Sequence, residues 1–320
     1  MSIISKDISK AVQLLKEDKL VAIPTETVYG LAGNIYSERA ISSIFKMKQR
    51  PLFNPLIVHI PSIDNLDKIV REVPEKAKLL SNAFWPGPLT LVLKKQPSVP
   101  DTVTAGKDTV AVRIPNHPVT IKLLEGLNFP LAAPSANPFG RISPTCAEHV
   151  EDYFKNDLEM VLDGGSCKNG IESTIVGFEN NEPIIYRLGS ISIEDIQAVI
   201  GNIEIKNKKD SNPDAPGMLS RHYAPSTPTF LVENVSTFIY PYSEKKIGFL
   251  LFNKPIENYS LKNQFVLSEN SNLMEATSKV YSTLHTLDKL NLDMIVCETF
   301  PDYGLGKSIN DRLLRATKKE

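Results

Sequence analysis

The sequence predicts an α/β protein, an open mixed sheet flanked by helices, with a second and smaller α/β unit after a polar linker. Three observations predict it. Short apolar runs alternate with segments of helical period from the N-terminus to about residue 200. Residues 206–213, Lys-Asn-Lys-Lys-Asp-Ser-Asn-Pro, then break the apolar periodicity. Beyond about residue 230 the alternation resumes. The units so drawn are 1–203, 204–229 and 230–320.

In chain order, Asp7–Asp18 carries Ile8, Val12 and Leu15 at helical spacing and leads into a strand, Leu20–Ile23. Ser37 is placed to N-cap a helix running to about Met47. Strands are expected at Leu56–Ile60, Leu89–Leu93, Val110–Ile114, Phe129–Ala133, Met160–Leu162, Thr174–Phe178 and Ile184–Leu188. Ser143-Pro144 reads as an N-cap followed by proline at the first helical position. Ser192–Ile200 reads as a short helix closed by Gly201. Short links between strands predict a mixed sheet with its sites at strand ends. In the last unit, Lys246–Phe252 and Met294–Cys297 read as strands, Leu273–Leu290 and Ser308–Thr317 as helices.

Bulk properties bound the function. At 320 residues the chain can hold two cores. A formal net charge of −1 and a pI of 6.6 give no global field toward RNA or anionic membrane. Cys146, Cys167 and Cys297 form no C-x-x-C pair, which argues against a zinc knuckle, a redox dithiol or a disulfide framework. There is no basic-then-apolar leader, and no apolar run nears the roughly 18 residues that span a bilayer. The cytoplasm is the expected location.

Three stretches carry chemistry. Pro24-Thr25-Glu26-Thr27-Val28-Tyr29-Gly30 follows the first strand, Lys48-Gln49-Arg50 ends a helix, and Ser135-Ala136-Asn137 follows a later strand. Hydroxyls and amides at strand ends, with a Lys-x-Arg pair, suit a polyphosphate cleft. Pro51 favours a helix end that would let Lys48 and Arg50 converge. Taken singly, each stretch reads as well as turn chemistry or a solvated helix end. Glu26 reads equally as a paired structural carboxylate or as an acid or base. Arg113 and Arg187 stand in apolar strands and need a carboxylate or phosphate partner. His59 is either core filler or ligand, and Ser173-Thr174 exposes a hydroxyl at a strand start. His117, His149 and His285 lack metal-ligand spacing and are expected at the surface. Walker, G-x-G-x-x-G and G-x-S-x-G motifs are absent from the sequence.

The ordered set resembles the threonylcarbamoyl-AMP synthases of the YrdC-like family. It comprises Pro24–Gly30, Lys48-x-Arg50, Pro55-Leu56, Trp85-Pro86-Gly87-Pro88-Leu89-Thr90, Val112-Arg113-Ile114-Pro115, Ala133-Pro134-Ser135-Ala136-Asn137 and Ser173-Thr174-Ile175-Val176. Pro216-Gly217 through His222-Tyr223-Ala224-Pro225 is similar to the linker of the family's long form. Gly304-Leu305-Gly306-Lys307-Ser308-Ile309-Asn310-Asp311-Arg312-Leu313 is similar to its last segment.

The resemblance implies a twisted sheet around a concave cleft, then a small Rossmann-like domain. It implies an enzyme, a nucleotidyltransferase, that joins L-threonine, bicarbonate or CO2, and ATP into threonylcarbamoyl-AMP, releasing pyrophosphate. A tRNA-modifying transferase complex would receive the product for the adenosine beside the anticodon. Carried over residue by residue, Lys48, Arg50, Ser135 and Asn137 serve ATP and catalysis, and Thr109, Ser143, Arg187 and Tyr223 are further ATP contacts. Thr25, His59, Arg113, Ala133 and Ser173 form the threonine shell. Tyr29 walls off the site, and His222 and Tyr223 act as a lid. Mg2+ is expected with ATP, held by phosphates rather than by the protein. Membrane association and stable nucleic-acid binding are not expected.

Three rivals stand beside this reading. One is an RNA-binding module using the concave groove, against which the near-neutral charge and the lack of an aromatic platform weigh. Another is a carbamoyl-phosphate enzyme like the hydrogenase-maturation proteins, whose zinc-finger and acylphosphatase-like segments are not recognisable here. The last makes the C-terminal domain purely a docking surface.

Overall fold

The computed structural model describes residues 2–207, 213, 215–218, 222–242, 244–257, 259 and 261–317. The linker reading at 208–212, and Leu219-Ser220-Arg221 of the linker motif, lie outside the described residues.

The first sheet has eleven strands among the described residues. They are β1 (Ile4–Ser5), β2 (Val21–Ile23), β3 (Gly30–Asn34), β4 (Ile57–His59), β5 (Leu89–Lys94), β6 (Thr109–Arg113), β7 (Leu131–Ala132), β8 (Val161–Leu162), β9 (Thr174–Glu179), β10 (Glu182–Arg187) and β11 (Glu204–Ile205). Their order is β1-β8-β2-β3-β7-β4-β6-β5-β9-β10-β11. The sheet is mixed: β4 pairs parallel to β6 and β5 parallel to β9, whereas β5–β6, β4–β7 and β9–β10 are antiparallel.

Alternation separates the two faces. Val58, Leu91, Val112 and Val176 point into the main core with the helices Glu38–Lys48 and Glu75–Phe84. Ile57, Val92, Ala111 and Ile175 point the other way, where Ala215 and Met218 of the linker pack on them. The linker is therefore a strap laid across the second face. The functional residues stand at strand ends that open on this face: His59, Arg113 and Arg187 are the last residues of β4, β6 and β10, and Ala133 and Ser173 adjoin β7 and β9. The helices Ile8–Lys16 and Pro118–Glu125 cover this face over β2, β3 and β7, and the strap takes the place of helices over β4, β6, β5, β9 and β10.

Local chemistry explains the helix ends that matter. Ser37 Oγ accepts from the Ala40 amide at 3.2 Å and starts the helix Glu38–Lys48. Gln49 ends it in the left-handed region (φ 52°), which turns the chain so that Lys48 and Arg50 both face inward. Ser192 forms a capping box with Asp195, and Gly201 closes Ile193–Ile200. Ser143-Pro144 does not start a helix; the next one runs Ala147–Phe154 behind Cys146. Ser143 Oγ is drawn instead to Glu172 Oε1 at 2.6 Å, and the Pro144 carbonyl accepts from the Tyr29 amide.

The C-terminal sheet is wholly parallel, with strands Thr229–Val232, Met294–Glu298, Ile247–Leu251 and Gln264–Val266 in spatial order. Ile247–Leu251 is buried at every position, as a two-sided parallel strand requires. The helices Leu273–Asp288 and Leu305–Ala316 pack between this sheet and the first domain. One apolar cluster joins Val28, Ile142 and Ile171 to Tyr223, Tyr281, Leu284, Ile309 and Leu313. Each such buried side chain contributes roughly 1.5–3 kcal/mol, so the two units share a core.

Candidate active site

A cavity of about 50 Å³ lies on the strap-covered face. Its walls come from seven places in the sequence: Thr25, Thr27, Val28 and Gly30; Arg50; Ile57 and His59; Arg113; Ala133 to Ser135; Glu172 and Ser173; and Arg187. Pro216, Gly217, His222 and Tyr223 of the strap close it. A molecule of liquid water claims roughly 30 Å³, and small-molecule sites run to about 300–1,000 Å³. As it stands, the cavity is closed around a space far smaller than a nucleotide.

His59 and Arg113 are register partners on parallel strands, so they stand side by side on the cavity face. Arg113 donates through Nε to the Gly87 carbonyl (3.1 Å) and through Nη1 to Thr27 Oγ1 (2.9 Å). Its Nη2 lies 2.6 Å from Glu26 Oε1, off the hydrogen-bond axis, so it makes an ion pair with donor capacity left over. Glu26 is therefore a paired carboxylate, and its other oxygen accepts from the Asn116 amide at 3.0 Å. Burial, reinforced by Arg113, lowers the His59 pKa to about 3, so the imidazole is neutral at pH 7. Its Nδ1 is buried without a partner, unlike a satisfied core histidine.

Arg187 spans the opposite wall. It donates to the Ser173 carbonyl and hydroxyl (2.9 and 3.0 Å from Nη2) and to the Pro216 carbonyl on the strap (3.3 Å). Arg50 donates to Asn54 Oδ1 (2.6 Å) and to the Pro55 carbonyl (2.8 Å). Burial and the nearby Arg187 charge pull the Arg50 pKa down, a sign that two cations share one dry space. Tyr223 is buried with φ 65°, and its hydroxyl has no partner. A bulky residue in that region is strained by about 1–3 kcal/mol. Rings hold it there: His222 edge-on at 4.1 Å and Tyr281 stacked at 5.7 Å.

The sequence-derived residues divide. All five of the threonine set (Thr25, His59, Arg113, Ala133 and Ser173) line the cavity, as do Arg50, Ser135, Arg187, His222 and Tyr223. Lys48 and Asn137 stand behind it. Lys48 donates to the Ser135 and Asn137 carbonyls, and Asn137 donates to the carbonyls of Pro138 (2.8 Å) and Arg141 (3.0 Å). Burial, with Arg50 nearby, holds the Lys48 pKa well below its usual value. Ser143 sits behind Glu172. Thr109 shares the face of Ala111 and Arg113 but lies about 13 Å along β6 from Arg113, at 3.3 Å per residue. Tyr29 is fully buried, its hydroxyl donating to the Gly165 carbonyl at 2.8 Å, so it backs the site rather than closing over it.

Two sequence expectations are corrected. His285 is buried, and it stacks on His149 at 3.8 Å across the domain boundary, so neither ring is a free surface group. Glu172, given no role by the sequence, is a central carboxylate of the wall. It accepts from Ser143, from Tyr281 (3.0 Å) and from Arg312 Nε (2.8 Å). The only local sign was an acidic residue just ahead of the Ser173-Thr174 strand start.

Comparison with known proteins gives a consistent result. The Sua5/YciO/YrdC family model, described as "Telomere recombination", matches residues 13–189. The model described as "Threonylcarbamoyl-AMP synthase, C-terminal domain" matches residues 191–317. The threonylcarbamoyl-AMP synthase of Pyrococcus abyssi is 40% identical, over 96% of this chain and 93% of its own. That of Bacillus subtilis is 39% identical, over 97% and 92%. The crystal structure of P. abyssi Sua5 complexed with L-threonine superimposes with a TM-score of 0.91 at 38% identity, covering 98% of this chain and 96% of that one.

Proposed function

The chain belongs to the Sua5/YciO/YrdC family of threonylcarbamoyl-AMP synthases, in the form that carries the C-terminal domain, and from that premise we propose that it joins L-threonine, bicarbonate or CO2, and ATP into threonylcarbamoyl-AMP and pyrophosphate. In this reading the threonine amine takes up CO2 to form a carbamate. A carbamate oxygen then attacks the α-phosphorus of ATP, and the bond to the bridging oxygen breaks as pyrophosphate leaves. No protein nucleophile is needed. The chain has to position two ligands, offset developing charge and keep water from the carbamate.

The observation that carries this reading is the convergence of three guanidiniums, Arg50, Arg113 and Arg187, with Thr25, His59, Ala133 and Ser173 on one buried cavity. Arg113, whose Nη2 keeps donor capacity beside its Glu26 ion pair, is the partner for the threonine carboxylate. Arg50, Arg187 and Ser135 serve the phosphates, with Tyr223 and Thr109 further along the face and Ser143 held behind Glu172. Lys48 and Asn137 act from behind by fixing the Ser135 loop. Because Ala215 and Met218 cover Ala111, between Arg113 and Thr109, the strap lifts to admit ATP and settles again over it. Tyr223 then touches the nucleotide.

Among the described residues no cluster of three or more His, Cys, Asp or Glu suits a metal ion, and Glu172 on the wall is already paired. We assign Mg2+ to the ATP phosphates, as part of the substrate, because it binds most readily through phosphates and waters. A tRNA-modifying transferase complex would take the product to the adenosine beside the anticodon, in the cytoplasm. No helix among the described residues is long and apolar enough to cross a membrane. The RNA-groove alternative is disfavoured because Arg50, Arg113 and Arg187 are buried and bonded within the chain rather than lining an open basic track.

The test is pyrophosphate release from MgATP, with and without L-threonine and bicarbonate. Release that needs both supports the reading. Release indifferent to threonine would reduce it to an ATPase, and tight salt-sensitive RNA binding without release would favour the groove.

A further inference from the structure

Arg312 is the largest fully buried side chain among the described residues, and it belongs to the C-terminal domain. Its guanidinium is divided among four partners. Nε donates to Glu172 Oε2 (2.8 Å), Nη1 to Asp311 Oδ2 (2.8 Å), and Nη2 to the Leu188 carbonyl (2.5 Å). Its central carbon stands 4.9 Å from the centroid of the Tyr223 ring. One cation from the second domain thus touches a wall residue of the cavity, the chain just after Arg187, and the strap residue that closes the cavity. Tyr281, also from the second domain, donates to the same Glu172 carboxylate and stacks on the same Tyr223 ring.

We propose that Arg312 is a positioning residue for the nucleotide end of the site, acting through Glu172 and Tyr223, and that this coupling is a task of the C-terminal domain. The inference rests on the adenylate-forming reading above. Glu172 can hold Ser143 Oγ only while its own orientation is fixed, and Arg312 and Tyr281 fix it. Burial alone would drive the carboxylate toward protonation. Arg312 and Arg187, with hydrogen bonds from Ser143 and Arg312, hold its pKa near 2 instead. An ionised Glu172 in turn keeps Arg187 from facing Arg312 without an intervening anion. Arg113 touches none of this network and is fixed by Glu26, Thr27 and Gly87, so the threonine end meets it only through Ser173, which follows Glu172 and accepts from Arg187.

The test compares Arg312→Met, Arg312→Lys and Tyr281→Phe with wild type in the full-length protein. It measures the KM for ATP, the KM for threonine, kcat and the melting temperature. Displacing positioning groups by about 1 Å is able to cost on the order of 100-fold. Arg312→Met is expected to raise the ATP KM or lower kcat to that extent, with a rise of only a few-fold in the threonine KM, transmitted through Ser173. Arg312→Lys, which keeps charge but not the fork, should recover part of the loss. Tyr281→Phe removes one hydroxyl and keeps the ring, so it should fold and show a smaller loss of the same kind. Equal losses for ATP and threonine, losses that follow the melting temperature alone, or no loss in the folded Tyr281→Phe protein would overturn the proposal. Failure of the adenylate reading would appear in the wild-type protein, as release without threonine dependence; failure of the present inference would appear in the variants alone.

Discussion

Lys48 Nζ donates to the backbone carbonyls of Ser135 and Asn137, fastening the last residue of one helix to the loop that follows a distant strand. The reverse contact, from the Phe139 amide to the Lys48 carbonyl at 2.7 Å, closes a two-way clasp. A Lys-x-Arg pair suggests two cations turned to one ligand. Here one of them, Arg50, faces the cavity, and the other holds the loop that presents Ser135 to it.

Replacing Lys48 by Ala should therefore cost stability as well as activity. Two carbonyls lose a charged donor in a buried place, a loss of about 2–3 kcal/mol in urea unfolding. Pyrophosphate release should fall in parallel, because Ser135 is no longer fixed. Full stability with abolished release would show instead that Lys48 meets the nucleotide directly.

Arg113→Lys and His59→Ala address the other end. A lysine reaches Glu26 or a ligand but not both in a planar fork, and alanine at 59 removes the neutral imidazole beside it. Each should raise the threonine KM by about 10- to 100-fold and leave the ATP KM within a few-fold. Because the His59 pKa is lowered to about 3, threonine affinity in the wild-type protein should not titrate with this group between pH 6 and 8. Isothermal titration with threonine alone checks both points.

Gly217 is the tight spot of the strap. Its φ is +85°, and a Cβ there would stand 2.7 Å from Arg187 Cδ and 3.0 Å from Tyr223 Oη. Gly217→Ala has to move one of the two groups assigned to ATP, in a backbone region alanine resists by roughly 1 kcal/mol or more. The expected outcome is a weakened ATP KM with unchanged threonine binding. An unchanged ATP KM would mean that the strap does not settle on the nucleotide.

How much of this was legible in the sequence follows from the range of each interaction. Ser37, Ser192 and Gly201 announce helix ends because caps are local chemistry. The strands flanking the site were legible from apolar runs a few residues long. The helix Pro118–Glu125 carries the same kind of local signal, proline at its start and Gly126 at its end. Ser143-Pro144 has the local form of a helix start, but a long-range bond to Glu172 outweighs it. Glu172 and Arg312 lie 140 residues apart, and nothing near either one marks the other. Buried pairs that join domains have no period, so sequence patterns miss them.

The stacked imidazoles of His149 and His285 set a pH limit on the joined domains. Burial, with Lys289 nearby, lowers the pKa of His149 to about 4. Burial and then His149 lower that of His285 to about 3, while its Nε2 lies 3.1 Å from the Ser143 carbonyl. In the unfolded chain both titrate near 6.5. A folded pKa below the unfolded one means that the unfolded state binds protons first as pH falls. The stability is complete above pH 6.5 and is lost progressively toward the folded values, at about 1.4 kcal/mol per pH unit for each ring. Asp152 and Glu148 near His149, and Asp288 near His285, soften the effect without reversing it. His59 and His222, both lowered to about 3, add the same sign. Unfolding followed from pH 7.5 to 4.5 should show stability falling with acid, and the His149→Phe, His285→Phe double variant should retain only the part due to the other rings. An equal slope in the variant would locate the acid sensitivity elsewhere than at this domain contact.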